Sequence, residues 1–203
     1  MNALNTLNAD TVRRLYEWAS SSGLADKVTL LFAERMIFVI PVVAVIAWFW
    51  PGKNAQSRRR LLVAVGVSCA LNGVVLLILA ATVHHPRPFV VLHMTPLFAH
   101  GADSSFPSDH ELLGMAIAAP LLWSRRPLGY VLAIFALVVG FARVATAVHW
   151  PSDILGTALI ALVMGAIALP IAPIVIKLIP APLKRLVGLE PAPVAAAAAG
   201  SRR

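Results

Sequence analysis

Three polar clusters interrupt an otherwise apolar sequence: Arg87-Pro88, Pro107-Ser108-Asp109-His110, and Arg143 followed by His149 and Asp153. Two arginines, a hydroxyl, two histidines and a carboxylate suit a metal-free site that cleaves a phosphate. Arginine forks match phosphate oxygens. One imidazole can attack or be oriented by a carboxylate, and another can move a proton. Such groups are costly at the ends of membrane-length apolar stretches, so they need a function or a good partner.

Each cluster also has a plainer reading. Arg87 sits between Pro86 and Pro88, which stiffen it in an extended form; an arginine there can also snorkel to an interface. Ser108 and Glu111 have capping-box spacing, so a helix is expected to start here with its N–H groups facing an anion. His110 would stand in the first turn. Arg143 is expected about 9 Å along a helix from His149. Pro151 suits a first helical position, placing Asp153 in the first turn, where it can hold one nitrogen of His149 or merely stitch the turn.

The elements that position these residues must be membrane helices. The 203-residue chain is 59% hydrophobic and 13% charged, with mean hydropathy +0.82. This composition predicts an all-α, polytopic membrane helix bundle. Five apolar segments are expected near 28–50, 61–83, 109–123, 128–148 and 153–179, the third short for a bilayer. Pro41 should kink the first, and Pro170 and Pro173 should kink or end the last.

Before the first span, residues 9–22 place Val12, Leu15, Trp18 and Ala19 opposite Arg13, Arg14 and Glu17. That pattern predicts an interfacial amphipathic helix capped by Asp10 or Thr11, within an N-terminal region 1–27. A transmembrane domain 28–180 follows. The tail 181–203, rich in Pro and Ala, is expected to be disordered. No basic n-region leads directly into an apolar core, so no cleaved signal peptide is expected. Cys69 lies mid-segment and reads as a packed thiol.

Eleven of the 17 basic residues fall on one side of this topology: Lys53, Arg58, Arg59, Arg60, Arg125, Arg126, Lys177, Lys184, Arg185, Arg202 and Arg203. The positive-inside rule makes that side cytoplasmic. All three polar clusters then converge on the outer face. Cations gathered between apolar segments also argue against a nucleic-acid partner, despite the net charge of +8.

The clusters resemble the motifs of the type 2 phosphatidic acid phosphatase superfamily: Lys, six residues, Arg-Pro; Pro-Ser-Gly-His; and Ser-Arg, five residues, His, three residues, Asp. The resemblance spans roughly residues 30–175. Three positions depart from it: Ala80 stands for the Lys, Asp109 for the Gly and Ala142 for the Ser. The Asp variant, His100, Ala102-Asp103, Ser105-Phe106 and Glu34 are most similar to the bacitracin-resistance-type undecaprenyl-diphosphatases. The resemblance implies that His149 attacks phosphorus, Asp153 orients it, His110 donates the proton, and Arg87, Ser108 and Arg143 hold the phosphate. His84, His85 or His100 would replace the absent Lys. Glu34 would tune a histidine or pair with Arg35.

No metal or other cofactor is implied; the plentiful His and acidic residues fit no specific zinc spacing. The implied partner is a polyprenyl diphosphate lipid in the bacterial inner membrane, cleaved on its outer side to renew the carrier for wall synthesis and to oppose bacitracin. Phosphatidate, phosphatidylglycerol phosphate or lipid A phosphate are the alternative substrates, and a non-catalytic lipid-binding or transport protein is the alternative class. Oligomeric state is not implied.

Overall fold

The computed structural model describes residues 3–190. Among these it is helical, with no strand. Three helices are long and apolar enough to cross a membrane: α4 (Ala55–Thr82), α7 (Pro127–Ala145) and α8 (Pro151–Leu178), here numbered with the others in chain order. A candidate fourth span is a pair bent by 45°, apolar and long enough only when taken together: α2 (Gly23–Glu34), then a 3-10 turn at Met36–Phe38, then α3 (Val39–Phe49). The bundle turns leucines and other large apolar side chains outward, among them Leu77, Val131, Ile134, Leu155 and Leu159. An exterior of this kind requires lipid.

The break in the first span falls five residues before Pro41. Proline has no N–H for the carbonyl four residues earlier, and its ring crowds that carbonyl. The chain therefore tightens into a 3-10 turn at Ile37 and restarts as α3, leaving Pro41 in the first turn, where its missing donor costs nothing. Pro170 and Pro173 do not end α8, which runs on to Leu178.

The third expected span is α6 (Asp109–Trp123), only 15 residues long. At 1.5 Å per residue it measures about 22 Å, short of the ~30 Å hydrocarbon core. It is the bundle's central helix instead, packed against α4, α7 and α8 and buried along residues 114–121. Small residues allow the close approach. A Cβ on Gly165 would lie 2.4 Å from the Ala119 Cβ, and one on Gly114 would lie 2.8 Å from that of Ala136.

The N-terminal helix is longer and better packed than expected. α1 (Ala3–Ser20) begins upstream of Asp10 and Thr11, so neither caps it. Thr11 instead donates to the Leu7 carbonyl, and Asp10 lies 3.9 Å from Arg13. Val12 and Ala19 are fully buried, and Val12 joins Val144, Ala147, Trp150 and Ile154 in a small core at one end of the bundle. Asn8 donates to the Ser152 hydroxyl (3.0 Å), and Tyr16 to the Thr95 carbonyl (2.8 Å). Thus α1 docks at that end rather than only lying on lipid.

Part of the expected disordered tail is ordered. Residues Ala181–Leu186 form a short helix, numbered α9 after α5 (Pro88–Val91). Leu189 is 1% exposed, and its carbonyl accepts from Gln56 (2.8 Å). The buried leucine, with Arg59 donating to the Gly188 carbonyl and Gln56 and Arg60 to that of Leu189, docks the segment, which composition does not reveal. Residues 191–203 lie outside the described residues.

Candidate active site

The three polar clusters meet where α4 ends and α8 begins. Backbone hydrogen bonds fasten them together. Ser105 N–H donates to the His85 carbonyl (2.7 Å), joining the first cluster to the second. Phe89 N–H donates to Ala147 (3.1 Å), joining the first to the third. Arg87 has the extended backbone that its flanking prolines demand (φ −68°, ψ 152°). Its Nη1 donates to the Val148 carbonyl (2.8 Å) and its Nε to Asp103 (2.9 Å), and it is buried. Burial pushes the Asp103 carboxyl up, but the hydrogen bond and charge of Arg87 outweigh it and hold the group below its ordinary value.

Arg143 and His149 are not strung along one helix. α7 ends at Ala145, and Ala147 adopts the left-handed conformation (φ 62°). The helix closes there with Ala147 N–H donating to Val144 and Val148 N–H to Arg143. This reversal folds His149 back until its Nε2 lies 3.5 Å from Arg143 Nη2. Arg143 is 3% exposed; Nη1 donates to the Ala33 carbonyl (3.4 Å), and Nη2 to His100 Nε2 (3.1 Å). The Phe98 ring lies 5.4 Å from its guanidinium carbon.

The expected direct pairing of His149 with Asp153 is not made. His149 Nδ1 donates to the Ser105 carbonyl at 2.6 Å, while Asp153 Oδ2 stands 4.0 Å away. Asp153 is held by the Ser105 hydroxyl (2.6 Å), the Trp150 N–H (2.9 Å) and His85 Nδ1 (3.0 Å). Ser105, fully buried, therefore links carboxylate to imidazole: its hydroxyl binds one and its carbonyl the other. Nδ1 of His149 carries the proton and Nε2 keeps its lone pair. Burial pushes the imidazole well below its ordinary pKa, and the charges of Arg143 and Arg87 push the same way, so His149 is neutral.

α6 starts at Asp109 with Ser108 as its N-cap residue, as the motif suggests, but the capping box does not form. The Ser108 hydroxyl is buried without a partner among the described residues. Its N–H donates to Thr157 (3.1 Å). Glu111 turns into the core, where a Cβ on Gly140 would lie 2.5 Å from its Oε2. His110 Nδ1 bonds the Asp109 carboxylate (2.9 Å), which also lies 4.0 Å from Arg143. Nε2 of His110 has no hydrogen-bond partner among the described residues.

Of the accessory candidates, His85 and His100 reach the site and His84 is exposed with no hydrogen bond among the described residues. Burial lowers the His100 pKa against the Gly101 carbonyl, and Arg87 and Arg143 lower it further. A neutral His100 thus accepts from Arg143. Ala80 is exposed on α4. The expected pairing of Glu34 with Arg35 is absent at ion-pair distance; Glu34 instead follows Ala33, whose carbonyl accepts from Arg143. Sequence gives Ser105 only as part of the branch resemblance and assigns it no role, because a backbone carbonyl leaves no residue-type signal.

Comparison with known proteins shows the family. Residues 61–177, more than half of the chain and all three clusters, match the PAP2 superfamily. The chain belongs to the PAP2 superfamily. This PAP2 protein is an integral membrane lipid phosphatase. Undecaprenyl-diphosphatase BcrC of Bacillus subtilis is 30% identical over 159 residues, covering 78% of this chain and 81% of that protein. The crystal structure of Aquifex aeolicus LpxE superposes with TM-score 0.66 at 23% identity, over 84% of this chain and 99% of that one. That of a PAP2-type phosphatidylglycerolphosphate phosphatase from Bacillus subtilis gives 0.56 at 21%, over 83% and 85%. Both structures share the fold of this PAP2 chain.

Proposed function

We propose that the protein hydrolyses undecaprenyl diphosphate to undecaprenyl phosphate and inorganic phosphate through a phosphohistidine at His149. The observation that carries this reading is the buried neutral imidazole, its Nδ1 fixed on Ser105 and its Nε2 facing Arg143. The Nε2 lone pair attacks the terminal phosphorus, and the bond from phosphorus to the bridging oxygen breaks. Nε2 of His110 gives its proton to the departing lipid phosphate. His110 then takes a proton from water, which attacks the phosphohistidine and releases phosphate. Arg87, Arg143 and the unpartnered Ser108 hydroxyl hold the equatorial oxygens, where charge stabilisation matters most. Asp153 balances the charge that His149 gains and orients it through Ser105.

Lipid reach is supported by a narrow cleft of about 100 Å³ between α4 and α6, which runs past Leu76, Leu112 and Leu113 to Asp109. The polyprenyl head is favoured over glycerol lipids by the relative named for that substrate, together with the Asp109 motif variant. On the positive-inside reading the site opens outward from the bacterial inner membrane, where cleavage renews the carrier for wall synthesis and withdraws the diphosphate that bacitracin binds. Phosphate release by the purified protein from undecaprenyl diphosphate, phosphatidate and phosphatidylglycerol phosphate tests the assignment. The polyprenyl diphosphate should be cleaved fastest; a faster phosphatidate reaction refutes the substrate, and no release from any lipid phosphate refutes the enzyme.

Two further outcomes follow from the geometry. Attack requires neutral His149, whose pKa lies below 6.5, so the acid limb of kcat/KM should lie below that pH. Arg87→Gln removes one of the two charges holding it down, and the limb should move up. Ser105→Ala keeps the carbonyl but removes the hydroxyl bond to Asp153. At ~1.5–3 kcal/mol for a bond to a charged group, kcat should fall about 10- to 100-fold, measured under single-turnover conditions.

A further inference from the structure

The opposite end of the bundle carries a cavity of about 550 Å³. Arg60 of α4, Arg126 of the loop before α7, Lys177 of α8 and Lys184 of α9 line it, with Glu190 the one acidic residue. Its floor is apolar, with Leu61, Leu169 and Ile176. Lys177 stands 24 residues beyond Asp153 on α8, roughly 36 Å along the axis. That distance exceeds the ~30 Å core, so the cavity lies at headgroup depth in the leaflet opposite the active site.

Exposed Arg60, Arg126 and Lys177 and half-buried Lys184 rim a concavity whose apolar lining can take hydrocarbon. The rim is built: α9 is held by buried Leu189, whose carbonyl accepts from Gln56 (2.8 Å) and Arg60 (3.4 Å). An anion of the chain itself already uses part of it, since Glu190 lies 3.7 Å from Lys184 and 3.9 Å from Arg185. No carboxylate among the described residues lies within ion-pair distance of Arg60, Arg126 or Lys177.

We propose that this cavity binds a phospholipid with a net negative headgroup, its phosphate among Arg60, Arg126 and Lys177 and an acyl chain along Leu61, Leu169 and Ile176. Charge complementarity selects the head, and the apolar floor selects a lipid over a free anion. The bound lipid joins α4, α8, α9 and the loop before α7, and stabilises the fold because the unfolded chain lacks the site.

The test is thermal unfolding of the detergent-purified full chain with added phosphatidylglycerol, phosphatidylcholine or inorganic phosphate. Phosphatidylglycerol alone should raise the midpoint, and the Arg126→Ala/Lys177→Ala double variant should lose that rise while keeping wild-type phosphatase activity. An equal rise with phosphatidylcholine or with inorganic phosphate overturns the proposal, as does an undiminished rise in the variant. Should the variant not fold, photo-crosslinking of wild type with a phosphatidylglycerol probe decides. Adducts on the peptides containing Arg126 or Ile176 support the site, and adducts only elsewhere overturn it.

Discussion

His149→Ala should lower phosphate release by about 10⁴-fold or more, a barrier increase of at least ~5.5 kcal/mol at ~1.4 kcal/mol per tenfold. The magnitude follows from losing the covalent path. Without Nε2 no phosphoenzyme forms, and water must attack the diphosphate in one step. Arg87 remains anchored on Val148 and Asp103, and Arg143 on Ala33 and His100, so the phosphate still binds. KM should therefore change far less than kcat, and residual activity should not depend on the hydroxyl of Ser105. Steady-state release by the purified variant, with unfolding as a check on integrity, measures this. Near-wild-type kcat would remove the nucleophile from the mechanism.

Arg143→Lys should lower kcat by about 10²- to 10³-fold, the worth of one preorganised donor to a developing anionic oxygen. Charge is retained, so a purely electrostatic role predicts a mild effect. The surroundings predict otherwise. Nη1 and Nη2 are spent on Ala33 and His100 while Nη2 also faces His149, an arrangement that needs a planar fork. A lysine is a single point donor; satisfying either partner draws it from the imidazole. Comparing kcat for Arg143→Lys with that for Arg143→Gln separates fork geometry from charge: similar losses indicate the fork, and a much smaller loss with lysine indicates charge alone.

Residue types and spacing pick out most of the residues that the structure brings together in the candidate site. Arg87 and Ser108 precede two expected apolar segments, and Arg143, His149 and Asp153 come at or after their end, yet an alternating topology predicts one outer face for all five, and the structure gathers them at one end. What spacing alone misread was the contact between His149 and Asp153. The start of α8 at Pro151 is as expected, with Asp153 in its first turn, but the left-handed turn at Ala147 swings His149 toward the Ser105 carbonyl. The element that receives it is a backbone carbonyl, to which any residue type at position 105 would be blind.

The fold was legible to a similar depth. Apolar length revealed α4, α7 and α8, whereas α6 differs in kind: its 15 residues are held by close packing of Gly114 and Gly165 rather than by lipid. The start of α1 was misplaced because Ala3 to Ala9 precede the charged stripe that signals amphipathicity, and its burial depends on a small core contributed by α7 and α8.

The central claim is a covalent phosphate on His149. Rapid alkaline quench of the purified protein with undecaprenyl diphosphate labelled in its terminal phosphate, followed by peptide mapping, tests it most directly. The account predicts label on the peptide containing His149, appearing before free phosphate and absent from His149→Ala. Label on another residue, or phosphate released at full rate with His149 never labelled, would contradict it.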